Sequence, residues 1–168
     1  REFMINIFVI SLLVINICSA REIEIAVASM MHNLENESSI VFGDHVRKGI
    51  YLSLIHNKEK LKRGDIKIKL SEYSYTSETS SILDIAKKIQ NSKALAVHGY
   101  DYSSHALLSR TVHQGKNLSV ILPTATSEKI TRESDNYFQI AGSNKSQAHA
   151  ILALIKKRGV KKATLIKR

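Results

Sequence analysis

Residues 94–105 read Ala94-Leu-Ala-Val-His-Gly-Tyr-Asp-Tyr-Ser-Ser-His105, and residues 118–126 read Leu118-Ser-Val-Ile-Leu-Pro-Thr-Ala-Thr126. Each segment is a short apolar strand that runs directly into a loop rich in hydroxyl side chains, Gly99–Ser104 in one case and Pro123–Thr126 in the other. A helix over about 104–115, stopped by Gly115, separates them. Two strands joined through a helix run parallel, so both loops open on the same edge of a sheet. That edge is where open α/β sheets bind ligands. Hydroxyls and free backbone N–H groups there suit a small anionic group such as a carboxylate, and the positive end of the helix starting near Ser104 adds to the attraction.

The same alternation extends outward. Ile23–Ser29 reads as a buried strand, followed by a polar loop over Met30–Ser39. A helix is expected over Asp44 to about Asn57, with Val46, Ile50, Leu54 and Ile55 on one face. Ile66, Ile68 and Leu70 alternate with lysines, as in a half-exposed strand. Tyr73–Ser77 reads as a hydroxyl-rich loop in which Ser77 or Thr79 caps a helix carrying Ile82, Ile85, Ala86 and Ile89. Past the second hydroxyl loop the sequence predicts a long polar loop to Asn136, a strand over Tyr137–Ile140, and a helix over Gln147–Lys157 with Ile151, Leu152 and Ile155 inward. A last strand is expected over Lys161–Ile166. The fold class is therefore α/β, a Rossmann-like parallel sheet with helices on both faces. Because the final strand has no closing helix, the sequence reads as the N-terminal part of a longer protein.

The first twenty residues differ in kind. Met4–Ile17 is almost wholly apolar and runs into Cys18-Ser19-Ala20, which fits a signal peptide over 1–20 cleaved after Ala20. An uncleaved anchor, a lipoprotein through Cys18 and a buried element are the alternatives. Cleavage removes the single cysteine, leaving no thiol for disulfides, zinc clusters or nucleophilic catalysis. An extracytoplasmic, periplasmic location follows.

The formal net charge is +10 among 168 residues. The basic residues are spread along helix faces, apart from a cluster running from Lys156 to Arg168. No aromatic residue follows Phe138, so the interleaved pattern of a nucleic-acid surface is missing. The seven histidines show no metal-ligand spacing. The chain lacks Gly-x-Gly-x-x-Gly, Gly-Lys-Ser/Thr and Gly-x-Ser-x-Gly, the signatures of dinucleotide, P-loop and hydrolase sites. The reading is of a non-enzymatic protein with no cofactor.

From Ile23 onward the chain resembles the type I periplasmic binding proteins of ABC transporters, in pattern the leucine/isoleucine/valine- and amide-binding types. The resemblance is carried by Ile23–Ala28, Phe42-Gly43-Asp44 with Gly49, Gly99 with Ser103-Ser104, Pro123-Thr-Ala-Thr126, and Asn136-Tyr-Phe-Gln-Ile-Ala141 leading to Ser143–Gln147. It implies two lobes closing on a ligand, with residues 21–141 as lobe one and 142–168 as the crossover and the first helix and strand of lobe two. It also implies site residues. Ser103 holds a ligand carboxylate. Thr126 supports the same group, and the Thr124 carbonyl receives an ammonium. Phe42 covers the side-chain pocket. Asn144 stands where amino-acid binders have an acidic residue. Ser104 and Ala125 belong to the same loops, and Tyr102 flanks Ser103, where it can stack on a ligand. The implied function is capture of a small polar solute, such as an amino acid or amide, for an ABC permease. The alternative is the ligand-sensing input of a membrane signalling receptor. A membrane would be met only through the signal or such a partner.

Overall fold

The computed structural model describes residues 20–30, 37–132 and 134–164, and for residues 37–43 the backbone alone. The predicted signal peptide therefore lies outside the described residues, apart from Ala20. Strand β1 (Arg21–Met30) pairs in parallel with β2 (Ile66–Tyr75), from Arg21 opposite Ile66 to Met30 opposite Tyr75. Between them lie helix α1 (Glu37–His56) and the short helix α2 (Lys58–Arg63). Helix α3 (Thr79–Gln90), strand β3 (Ala96–His98), helix α4 (Ser103–His113) and strand β4 (Ser119–Leu122) follow. The chain continues through helix α5 (Glu128–Thr131), strand β5 (Tyr137–Gln139) and helix α6 (Asn144–Lys157). The sheet order is β2-β1-β3-β4-β5, and all four pairings are parallel. This is the α/β, parallel-sheet architecture that the alternating sequence pattern predicts.

Strand periodicity divides the sheet residues between two faces. Ala26, Ala28, Val97, Val120 and Leu122 are buried on one face together with Ile82, Ala86, Ile89 and Ala106 from α3 and α4. Full burial of a side chain the size of Ile82 or Ile89 stabilises by about 1.5–3 kcal/mol. The other face lies under α1, where Ile25, Leu70, Ala96 and Ile121 look toward Val46, Ile50 and Leu54 across a cavity of about 430 Å³. Exposed contacts from Arg47 and Tyr51 to the Glu72 carboxylate tie α1 to β2.

Several local expectations change. Helix α1 begins at Glu37, so Phe42-Gly43-Asp44 lies inside the helix, and the expected polar loop is shortened. Ile55 is 67% exposed and does not join the apolar face. At about 100° per residue it stands opposite Val46, whereas Ile50 and Leu54 stay within a turn's drift of it. Strand β2 continues to Tyr75, because Ser29 and Met30 offer ladder partners to Ser74 and Tyr75 that a free loop would lack. The N-cap of α3 is Glu78, without a side-chain cap bond. Ser81 Oγ instead accepts the Thr76 N–H at 2.9 Å.

The long polar loop after β4 contains α5, pinned by the fully buried Ile130. Helix α6 starts at Asn144, three residues before the expected Gln147. Ile151 and Leu152 are more than half exposed rather than inward, while Ile155 is half-buried. The helix is anchored at its N-terminal end, and among the described residues no buried residue belongs to it. Residues 161–164 form no strand, and 165–168 lie outside the described residues.

Candidate functional site

The β3 exit is shaped by close backbone approach. Gly99 has φ +137°, and a Cβ there would collide with the Ala28 carbonyl oxygen on β1. Only glycine fits both the torsion and the contact. Tyr100 then turns into the core, fully buried, its hydroxyl 3.0 Å from His113 Nε2. Asp101 follows with 7% exposure, and Tyr102 returns to the surface. The chain enters α4 at Ser103, with Tyr102 in the N-cap position and no side-chain cap bond.

Ser103 and Thr126 come together directly. Ser103 Oγ accepts the Thr126 N–H at 3.2 Å and the Ser127 N–H at 3.3 Å. A hydroxyl that accepts two N–H donors is polarised as a donor, and its own proton is left for an acceptor at the sheet edge. The β4 exit loop is held from two further sides. Gln139 Nε2 on β5 donates to the Ala125 carbonyl at 2.9 Å and the Ser127 carbonyl at 3.0 Å. The Asn144 N–H, at the start of α6, donates to the Thr126 carbonyl at 3.0 Å. The positive ends of α4 and α6 are thus both tied to the same short loop, which favours a negative group there.

The other anticipated residues take varied places. Ser104 is exposed beside Ser103. Thr124 turns its hydroxyl to the Asp101 carbonyl at 2.6 Å. Ala125 is buried, and its carbonyl is held by Gln139, so it belongs to the loop's support. Tyr102 stands on the rim, 47% exposed, its ring edge-on to His105 at 5.1 Å. The Asn144 side chain is exposed at the first turn of α6. Phe42 lies in α1, and its side chain is outside the described residues.

Asp101, Tyr75 and Gln139 support this edge and were not among the expected residues. Asp101 carried a local signal, an acidic residue just past a strand-ending glycine. Gln139 carried none, since only the β4–β5 pairing brings it beside residues 125–127. Burial shapes the titratable groups nearby. It raises the Tyr75 and Tyr100 hydroxyls well above the ordinary tyrosine range. Burial also lowers His98 and His105, against the opposing pull of the Asp101 charge. His113, fully enclosed, is lowered to about 4.

Solved structures share this architecture. An ABC transporter substrate-binding protein from Desulfitobacterium hafniense superposes with a TM-score of 0.70 at 21% identity, over 83% of this chain and 40% of its own. The leucine-binding protein LivK from Thermotoga maritima gives 0.64 at 23%, over 81% of this chain and 37% of its own. A solute-binding protein from R. palustris in complex with 4-hydroxybenzoate gives 0.70 at 15%, over 83% and 37%. The fold is that of the type I periplasmic binding proteins. The chain spans about 40% of the length of the first of these structures. No protein-family model and no curated protein matches the sequence. Among the described residues, no helix is long and apolar enough to cross a membrane.

Proposed function

We propose that this chain provides the first ligand-binding lobe of an extracytoplasmic solute-binding protein that delivers a small carboxylate-bearing solute to an ABC permease. Residues 21–141 form the lobe, and residues 142–168 are the crossover and the opening of a second lobe. Residues 1–20 direct export to the periplasm. The observation that carries this reading is the Ser103 hydroxyl, held by the N–H groups of Thr126 and Ser127 between two helix N-termini. Such an arrangement favours an anion through a short, directed O–H donor without placing a full positive charge in the site. It is suited to holding such a group.

The solute class follows from the same chemistry. Leucine and 4-hydroxybenzoate, found in complex with two structural neighbours, share only their carboxylate. The Ser103 edge is suited to that shared group. Asn144 is neutral and exposed, so an α-ammonium gains little from it.

Titration calorimetry of the full-length protein with L-leucine, L-leucinamide and 4-hydroxybenzoate tests the proposal. A hydrogen bond to a charged group contributes roughly 1.5–3 kcal/mol. Ser103→Ala is therefore expected to weaken carboxylate binding by about tenfold to a hundredfold, since about 1.4 kcal/mol is a factor of ten. Binding of the amide should fall less. Unchanged affinity for every solute that binds would remove Ser103 from the site and overturn the reading.

A further inference from the structure

Asp101 joins the exits of four neighbouring strands. Its Oδ2 accepts the Met30 N–H at 2.7 Å, and Met30 is the last residue of β1. The same oxygen stands 3.5 Å from the hydroxyl of Tyr75, the last residue of β2. That tyrosine oxygen in turn accepts the Asp101 N–H at 3.1 Å. The Asp101 carbonyl accepts the Thr124 hydroxyl at 2.6 Å, from the exit of β4. Asp101 itself lies three residues past the end of β3 and two before Ser103.

A carboxylate that is 7% exposed is held in place by donors rather than by water. Bonds to an ionised acceptor are the stronger class, and they are directional. These four bonds end on three exit segments, at Met30, Tyr75 and Thr124, with two of them on the buried Tyr75 hydroxyl. Their common effect is to hold the turn that leads into α4. The first residue of α4 is Ser103, whose hydroxyl closes on Thr126 and Ser127.

We infer that Asp101 is a positioning residue for solute binding: its carboxylate anchors the β3–α4 turn to β1 and β2 and so sets where the Ser103 hydroxyl meets the β4 exit loop. The inference rests on the solute-binding reading of Ser103, and it adds a residue that does not touch the solute. Because Met30 and Tyr75 address the same oxygen, a neutral amide at position 101 can present one oxygen to both. Asp101→Asn is therefore expected to keep the turn, and Asp101→Ala to lose it.

Two readouts on the full-length protein test this. The first is amide hydrogen exchange without ligand. Asp101→Ala should speed exchange at Met30, Thr126 and Ser127 by about tenfold or more, roughly the effect of losing one charge-assisted bond. Exchange at Leu95 and Val120, whose N–H groups are held by Glu24 and Asn136 within the sheet, should stay as in the parent. Asp101→Asn should restore most of the protection. The second readout is affinity for L-leucine and 4-hydroxybenzoate, lowered by about tenfold or more in Asp101→Ala and within about threefold of the parent in Asp101→Asn.

Unchanged exchange at Thr126 and Ser127 in Asp101→Ala would overturn the inference. Equal acceleration at Leu95 and Val120 would do the same, since that is general destabilisation. Should the alanine variant not fold, Tyr75→Phe removes the β2 side of the carboxylate's anchorage, and unchanged Thr126 exchange there also overturns it. Exchange needs no solute, so failure of the Ser103 reading, seen as unchanged affinity in Ser103→Ala, is told apart from failure of the Asp101 inference.

Discussion

Acidification should loosen this lobe through one buried histidine. His113 is fully buried at the end of α4, with Nε2 3.0 Å from the Tyr100 hydroxyl and Nδ1 without a hydrogen-bond partner among the described residues. A protonated ring carries N–H on both nitrogens, so its charge would be desolvated and one donor would be unpaired. Burial accordingly lowers its pKa from 6.5 to about 4. The unfolded chain then binds more protons than the folded one between these values. Stability is fully present above about pH 6.5, falls as pH drops through the window, and levels off below about pH 4. The gap from 6.5 to about 4, at about 1.36 kcal/mol per pH unit, is about 3 kcal/mol. That is a large share of the roughly 5–15 kcal/mol of a typical domain.

The assay is urea unfolding followed by circular dichroism across this range, for the parent and for His113→Gln. Glutamine keeps a partner for the Tyr100 hydroxyl and does not titrate. The variant is expected to start less stable at neutral pH and to lose about 2–3 kcal/mol less on acidification than the parent. His98 and His105 shift in the same direction and remain in both proteins, so the difference between the two curves isolates position 113. Parallel curves over the window would refute the assignment of acid sensitivity to His113.

Gly99→Ala should cost at least about 2 kcal/mol, from the positive φ and the collision with the Ala28 carbonyl, and should lower the thermal midpoint; an unchanged midpoint would contradict the described β3 exit. Expression in a Gram-negative host should give a periplasmic product whose N-terminal sequence begins at Arg21, and an intact leader on membrane-embedded protein would instead indicate an anchor.

The alternation of apolar strands with amphipathic helices was enough to read a parallel α/β sheet from the sequence, because period-2 and period-3.6 patterns report which faces are buried. The pairing of hydroxyl loops at 99–104 and 123–126 was legible for a related reason, since consecutive parallel strands must open on one edge. Element ends were less legible. Whether Ser74 and Tyr75 are loop or strand depends on β1 lying alongside, and a residue's own propensity does not record its neighbour. The apolar residues of α6 look inward on a helical wheel, yet burial requires something to pack against, and Ile151 and Leu152 meet solvent in the described structure.

The contacts that support the site were decided by the tertiary structure. Asp101 is 71 residues from Met30 and 26 from Tyr75, and Gln139 is 14 from Ala125. No local pattern couples positions so far apart. Local sequence determined the alternation of strands and helices up to β5 and which loops carry hydroxyls, but not the short helix Glu128–Thr131 or the absence of a strand at residues 161–164. The sheet order β2-β1-β3-β4-β5 decided which of those loops touch, and so which backbone N–H groups the Ser103 hydroxyl accepts.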